Sequence, residues 1–240
     1  MEAVEGNVAA AMAVTGSTAR QHAARRGTAA APKRGPAGAV ARRQERAGIN
    51  KFDDRRMELA DAALQTLAEL GFARASLREI AQNSEFSHGV FHYYFVDKVD
   101  LICCAVKHYK ARCVSRYDQI TVTARSRGEL IEGFLEKLGE TLRDEAPMHR
   151  LWYELRSQAL FEKAFQEDVE AIDKSLEDMV WRILARLAAF DARQPAVSPA
   201  ALYALFDGLF QRHLLRQLAG DDTAAESLAE ELRRLFPLVA

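Results

Sequence analysis

Apolar residues recur along most of this chain at steps of three and four, the spacing that lines one face of an α-helix. Met57, Ala60, Leu64 and Leu67 form the first such stripe. Gly71 follows Leu70, where a helix end often needs a left-handed residue. Ser76-Leu77-Arg78-Glu79 then has the form of a capping box. It opens a short helix that turns Leu77, Ile80 and Ala81 inward. Ser84-Glu85-Phe86 reads as a tight turn, with Phe86 plugging the corner between helices. Ser87 is placed to cap a second short helix through Tyr94, and Asp97 to cap a long one starting at Lys98.

Beyond Lys98 the same period continues. Ile102, Val106, Tyr109 and Cys113 mark the fourth helix, and Ile131, Phe134, Leu138 and Leu142 the next, over about 127–143. Pro147 suits the first turn of a helix holding Leu151, Trp152 and Leu155. Phe165, Val169, Ile172, Leu176, Met179, Ile183 and Leu187 mark a long one. The pattern breaks around Pro195 and Pro199, and helices near 199–219 and 223–236 follow. No alternating stretch competes, so the expected fold is all-α.

The helix from His88 to Tyr94 is too short to persist alone. Phe91, Tyr94 and Phe95 are placed to anchor it. Its other face shows Ser87, His88, Gly89, Val90, His92 and Tyr93, which are small or hydrogen-bonding groups. Two short helices braced by a third are how a small domain offers a helix to the DNA major groove. The competing reading is an aromatic-rich helix sealed inside a bundle, where each polar tip would need a partner.

Residues 55–98 resemble the N-terminal domain of the tetracycline-repressor (TetR) family of bacterial transcription regulators. The shared signals are R-x-x-I/L-x-x-A-A within Arg55–Ala63, the pair Gly71-Phe72, S-[LV]-x-x-I-A at Ser76–Ala81, and Y-x-F-x-x-K at Tyr93–Lys98. The resemblance implies a helix-turn-helix domain at 51–100 whose Ser76, Ser87, His88, Val90, Tyr93 and Lys98 face an operator, with Lys98 on a phosphate; Gly89, which lets the backbone come close, and His92, whose imidazole can reach a phosphate, join them as candidate DNA contacts. It further implies a helical domain at 101–240 that binds a small effector and forms a homodimer. The runs at 151–161 and Ala204–Leu209 are similar to the choline-responsive, bet-type branch. Glu85 and His92 stand where the family favours Gly and Tyr. A left-handed Glu85 would carry about 1–2 kcal/mol of strain.

Charge is unevenly spread. Residues 1–50 hold eight Lys/Arg against three Asp/Glu, residues 51–100 six against nine, and residues 101–240 nineteen against twenty-two. A slightly acidic DNA-facing domain must rely on a few placed cations. Residues 1–50 lack aromatics and are expected to be a disordered, Ala-rich basic tail. A solvated extension, a basic arm over phosphates and a transit peptide all suit that composition. Nothing resembles a secretory signal or a membrane span, so a bacterial cytoplasmic location is expected.

Cys103, Cys104 and Cys113 are odd in number and unpaired in spacing, which argues for buried thiols rather than disulfides. Cys104 and His108 lie one turn apart without a third ligand, so no metal or cofactor is expected. The chain carries no G-x-S-x-G, H-E-x-x-H, G-x-G-x-x-G or phosphate-binding loop, which speaks against an enzyme. An activator and a non-DNA-binding partner protein with a degenerate recognition helix remain the alternatives to a repressor.

A ligand site needs an apolar lining with few polar groups. The candidates are His108, Tyr109, Trp152, Arg156, Phe165, Met179 and Phe206, and a buried Arg156 would want an acid such as Glu154 or an anionic ligand. The helix near 199–219 is apolar around much of its girth. Leu202, Leu205, Leu209, Phe210 and Leu214 are its candidate dimer contacts, pairing with the last helix across a two-fold axis.

Overall fold

The computed structural model describes the backbone of residues 36–239 and the side chains from Asn50 to Val239. Every regular element among the described residues is helical. In order they are α1 (Pro36–Arg74), α2 (Leu77–Gln82), α3 (His88–Tyr94), α4 (Lys98–Thr123), α5 (Arg127–Asp144), α6 (Ala146–Gln158), a 3-10 turn (Lys163–Phe165), α7 (Gln166–Phe190), α8 (Pro199–Leu218) and α9 (Ala224–Val239).

Helix α1 corrects the expected tail. Residues 36–50 belong to the helix, because Ala, Arg, Gln and Glu dominate residues 39–47 and are strong helix formers. Residues 1–35, with most of the expected basic arm, lie outside the described residues. On the expected stripe Ala60, Leu64 and Leu67 are buried together with Leu59 and Ala63, whereas Met57 is exposed.

Local capping follows the sequence closely. The Glu79 amide donates to Ser76 Oγ at 3.2 Å, the Val90 amide to Ser87 Oγ at 3.4 Å and the Asp100 amide to Asp97 Oδ1 at 2.9 Å. The Glu79 carboxylate accepts the Ser76 hydroxyl rather than a backbone amide. Glu85 is not left-handed, because Ala192 is the one described non-glycine residue with positive φ. The turn is closed instead by Ser84, whose amide donates to Ala81 O and whose Oγ accepts from the Phe86 amide. Phe86 does sit edge-on to Phe91, filling the corner.

From Gln44 onward the chain forms one compact unit with two buried cores. The first joins α1–α3 to the start of α4 and recruits Leu151, Trp152 and Leu155 of α6, Phe165, and Ile172 of α7. The small N-terminal bundle thus borrows its floor from helices beyond position 100. The second core gathers α5, α7, α8 and α9 around Phe134, Leu184, Phe206 and Phe236. Helix α4 has 26 residues, about 39 Å at 1.5 Å each, and reaches both cores, with Ile102 in one and Tyr117 in the other.

Candidate nucleic-acid interface and internal cavity

Helix α3 owes its orientation to two roots. Phe91 and Phe95 are fully buried, each contributing roughly 1.5–3 kcal/mol. Tyr94 is half-buried and packs on Phe52 at 4.8 Å. Between these roots Ser87, His88, Gly89, His92 and Tyr93 are exposed, Tyr93 at 73%. Val90 and Ser76 are half-buried. His88 and His92 stand one turn apart with their Nε2 atoms 3.1 Å from each other. The reading of α3 as a helix sealed inside the bundle is thus excluded.

An ion pair locks that orientation. Arg56 of α1 donates to Asp100 of α4 at 2.5 Å and to the Tyr94 carbonyl at 2.7 Å, while its guanidinium lies 4.6 Å over the Phe95 ring. Partial burial pushes the Asp100 carboxyl up, yet bonds from Arg56 and the Val96 amide outweigh it and hold its pKa below the ordinary value. Lys98 is engaged within the chain rather than free: its amine donates to the Phe72 carbonyl at 2.9 Å and lies 4.3 Å over the Phe72 ring. Arg78 and Gln82, exposed on α2, border a shallow recess with Ser87 and His88. Sequence reading passed over both, although their position one turn into the positioning helix marks them as neighbours of the same surface.

A cavity of about 80 Å³ lies between the two cores. Of the candidates, Trp152, Met179 and Phe206 line it, joined by Tyr117, Phe134, Tyr153, Tyr203 and Phe210. The other candidates sit elsewhere. His108 faces Asp61 at 3.4 Å, because that side of α4 packs against α1. Phe165 lies against Phe72 in the first core. Tyr109 is buried beside the cavity with its hydroxyl on Glu145. Arg156 finds its acids not in Glu154 but in Asp173 at 3.1 Å and Asp207 at 2.5 Å, both on other helices. Tyr153 and Tyr203 donate to the same two carboxylates. Glu154 instead points to α1, where it accepts the Phe72 amide at 2.8 Å.

The cavity's polar feature is a pair that sequence reading missed. Lys110 is buried, and its amine lies 2.9 Å from Nδ1 of buried His149. Burial lowers the Lys110 pKa to about 8, against weaker upward pulls from Cys113, Asp207, Glu145 and Asp173. Burial, with Lys110 and Arg116 adding to it, keeps His149 well below its usual range. The signal was legible: Lys110 falls on the apolar stripe of Val106, Cys113 and Tyr117, where a lysine is out of place.

Cys113, Glu145 and His149 bring donor atoms within 4.8 Å of one another. Arg116 bonds both Glu145 oxygens and the Cys113 sulfur, and Lys110 lies on His149 Nδ1, so each of the three already has a hydrogen-bond partner within the chain. Burial pushes the Cys103 thiol up to about 12 and the Cys104 thiol upward too. His108 pairs with Asp61, so Cys104 and His108 are not drawn together as ligands. No described helix is long and apolar enough to cross a membrane.

The candidate dimer face divides. Leu202 and Leu214 are buried in the second core, since they lie on the side of α8 that meets α7 and α9. Leu209 and Phe210 are half-buried, whereas Leu205 is exposed at 44% and Leu215 at 65%.

Residues 59–102 match the family model for bacterial regulatory proteins of the tetR family, and residues 129–237 match that for the C-terminal region of BetI-type transcriptional repressors. The chain is 28% identical over 180 residues to the HTH-type transcriptional regulator BetI of Burkholderia ambifaria, covering 74% of this chain and 91% of that one. The BetI of Burkholderia thailandensis is equally similar, with 28% identity over 185 residues and 90% of its length covered. Among solved structures, a TetR transcription regulator from Haloarcula marismortui superposes with a TM-score of 0.60 at 19% identity, over 78% of this chain and 98% of that one. FadR from Bacillus subtilis, bound to stearoyl-CoA, does so with 0.60 at 16%, over 75% and 96%. With the two models spanning most of the described chain, the protein belongs to the TetR family of bacterial transcription regulators.

Proposed function

We propose that this regulator is a homodimeric repressor that occupies a pseudo-palindromic operator and leaves it when a small molecule enters the cavity between its cores. The observation that carries this reading is the outward face of α3, where His88, His92 and Tyr93 are exposed while Phe91 and Phe95 hold the helix in place. Ser76, Ser87, Gly89 and Val90 complete the surface offered to the groove, with Arg78 and Gln82 at its edge. Lys98 reaches a phosphate by exchanging the Phe72 carbonyl for it. Two such helices, roughly 34–36 Å apart across a two-fold axis, suit successive major grooves. Leu205 and Leu215 of α8 are the apolar contacts of that axis.

Release runs through α6 as well as α4. One face of α6 presents His149, Trp152 and Tyr153 to the cavity. The other holds the end of α1, with Arg150 donating to the Ala68 carbonyl at 2.6 Å and Glu154 accepting the Phe72 amide. A ligand that shifts α6 therefore moves the bundle that carries α3. A coupling of about 1–3 kcal/mol would weaken operator binding roughly 5–150-fold. A gel-shift against the DNA upstream of the protein's own coding region tests the reading. Saturable, sequence-dependent binding supports it; indifference to every duplex in that region and in a randomised pool removes it.

A further inference from the structure

Hydrogen-bond supply and demand around the cavity is one-sided. Its carboxylate, Asp207, is taken on both oxygens, by Tyr153 and by Arg156. Arg156 is shared with Asp173, whose other oxygen accepts from Tyr203, so all four oxygens of the two carboxylates already accept a hydrogen bond. Lys110, by contrast, has His149 as its one hydrogen-bond partner among the described residues. An ammonium has no lone pair, so His149 Nδ1 must accept, and the proton of the neutral ring then sits on Nε2. That Nε2 is buried without any partner. Two protons of Lys110 and one of His149 are thus left without an acceptor, on two residues that line a mostly apolar chamber. A buried donor left unpaired is costly, and a ligand acceptor would recover that cost.

Resting on the effector reading above, we propose that the cavity takes a small organic acid, its carboxylate on Lys110 and His149 and its apolar body among Trp152, Phe206 and Phe210. A quaternary ammonium, which aromatic walls alone would welcome, meets the Lys110 charge instead. The titratable and charged groups facing Lys110 are Cys113 on its own helix, Glu145 before α6, His149 on α6, Asp173 on α7 and Asp207 on α8.

Calorimetry on the full-length protein at pH 7 with hexanoate, benzoate, hexanol and choline tests this directly. The two acids are expected to bind at least tenfold more tightly than hexanol or choline. Lys110→Met is expected to erase that preference while circular dichroism stays native. Should that variant fail to fold, His149→Phe and a pH series on the native protein replace it. Acid affinity is expected to fall between pH 7 and 9.5, as the amine loses its charge near pH 8. Choline or hexanol binding as tightly as the acids, no acid binding at all, or a pH-independent acid affinity would each overturn the assignment. Gel-shifts on the same preparation separate the two readings. Operator binding without acid binding defeats only this inference, and acid preference without operator binding defeats only the repressor.

Discussion

The carboxylate of Glu154 accepts the backbone amide of Phe72 at 2.8 Å, across 82 residues of sequence. It ties α6, whose opposite face walls the cavity, to the kink at Gly71 in the last turns of α1. Replacing Glu154 by Ala leaves that amide without its partner and should cost about 1–3 kcal/mol of stability. The informative readout is operator affinity with and without ligand: the variant is expected to bind operator more weakly and to respond less to ligand. An unchanged ligand response would show that α4 alone carries the signal.

Gly71 makes that contact possible. Its φ of 75° and ψ of 171° lie in a region that side-chain-bearing residues avoid, and a Cβ there would stand 2.9 Å from Glu154 Oε2. Gly71→Ala should therefore lose about 1–3 kcal/mol through backbone strain, with further loss from displacing Glu154. Urea denaturation reads the total, and the double variant with Glu154→Ala should be less damaged than the two losses summed.

Tyr93 offers the cleanest separation of binding from folding. At 73% exposure it contributes little to the core, so Tyr93→Ala should alter stability by no more than about 0.5 kcal/mol. If the ring reads a base edge, discrimination between operator and random duplex should fall by about 1–3 kcal/mol. His88→Ala is expected to act in the same direction. Competition gel-shifts measure both, and retained selectivity in both variants would contradict the placing of α3 in a groove.

The Arg56–Asp100 pair gives the fold a pH signature. Because the Asp100 pKa is held below its ordinary value of 3.8 in the folded chain, its stabilisation is complete above that value and is lost as pH falls through the lowered one. Arg56→Met should destabilise by about 1–3 kcal/mol at neutral pH. The gap to wild type should narrow in denaturation curves taken below pH 4.

Leu205 tests the dimer face. Leu205→Glu places a charge where an apolar contact is proposed, without disturbing the buried Leu202 and Leu214. Light scattering should then report a mass near 27 kDa, the 26.8 kDa of one chain, instead of about twice that.

What could be read from the chain in advance was mostly short-range. Ser76, Ser87 and Asp97 announced their helices because a cap and its amide lie three residues apart. The aromatic roots of α3 were visible for the same reason, as a cluster within one turn. Arg156 defeated sequence reasoning because its acids lie 17 and 51 residues away, while the nearer Glu154 leaves the same helix on another side. Leu202 and Leu214 were misjudged because α8 is apolar around much of its girth, and periodicity cannot choose between two greasy faces. The Lys110–His149 contact spans 39 residues and two helices. Only the misplaced lysine hinted at it.

Because α6 contributes Trp152 to the chamber and, with Leu151 and Leu155, to the floor beneath the DNA-facing bundle, it is a poor place for natural selection to experiment. If α6 couples the two sites as proposed, any residue swapped there to suit a new inducer also retunes how firmly the unliganded protein grips its promoter. Diversification of chemical taste among relatives should accordingly concentrate on the walls supplied by α5, α7 and α8, where a change of shape stays a local affair.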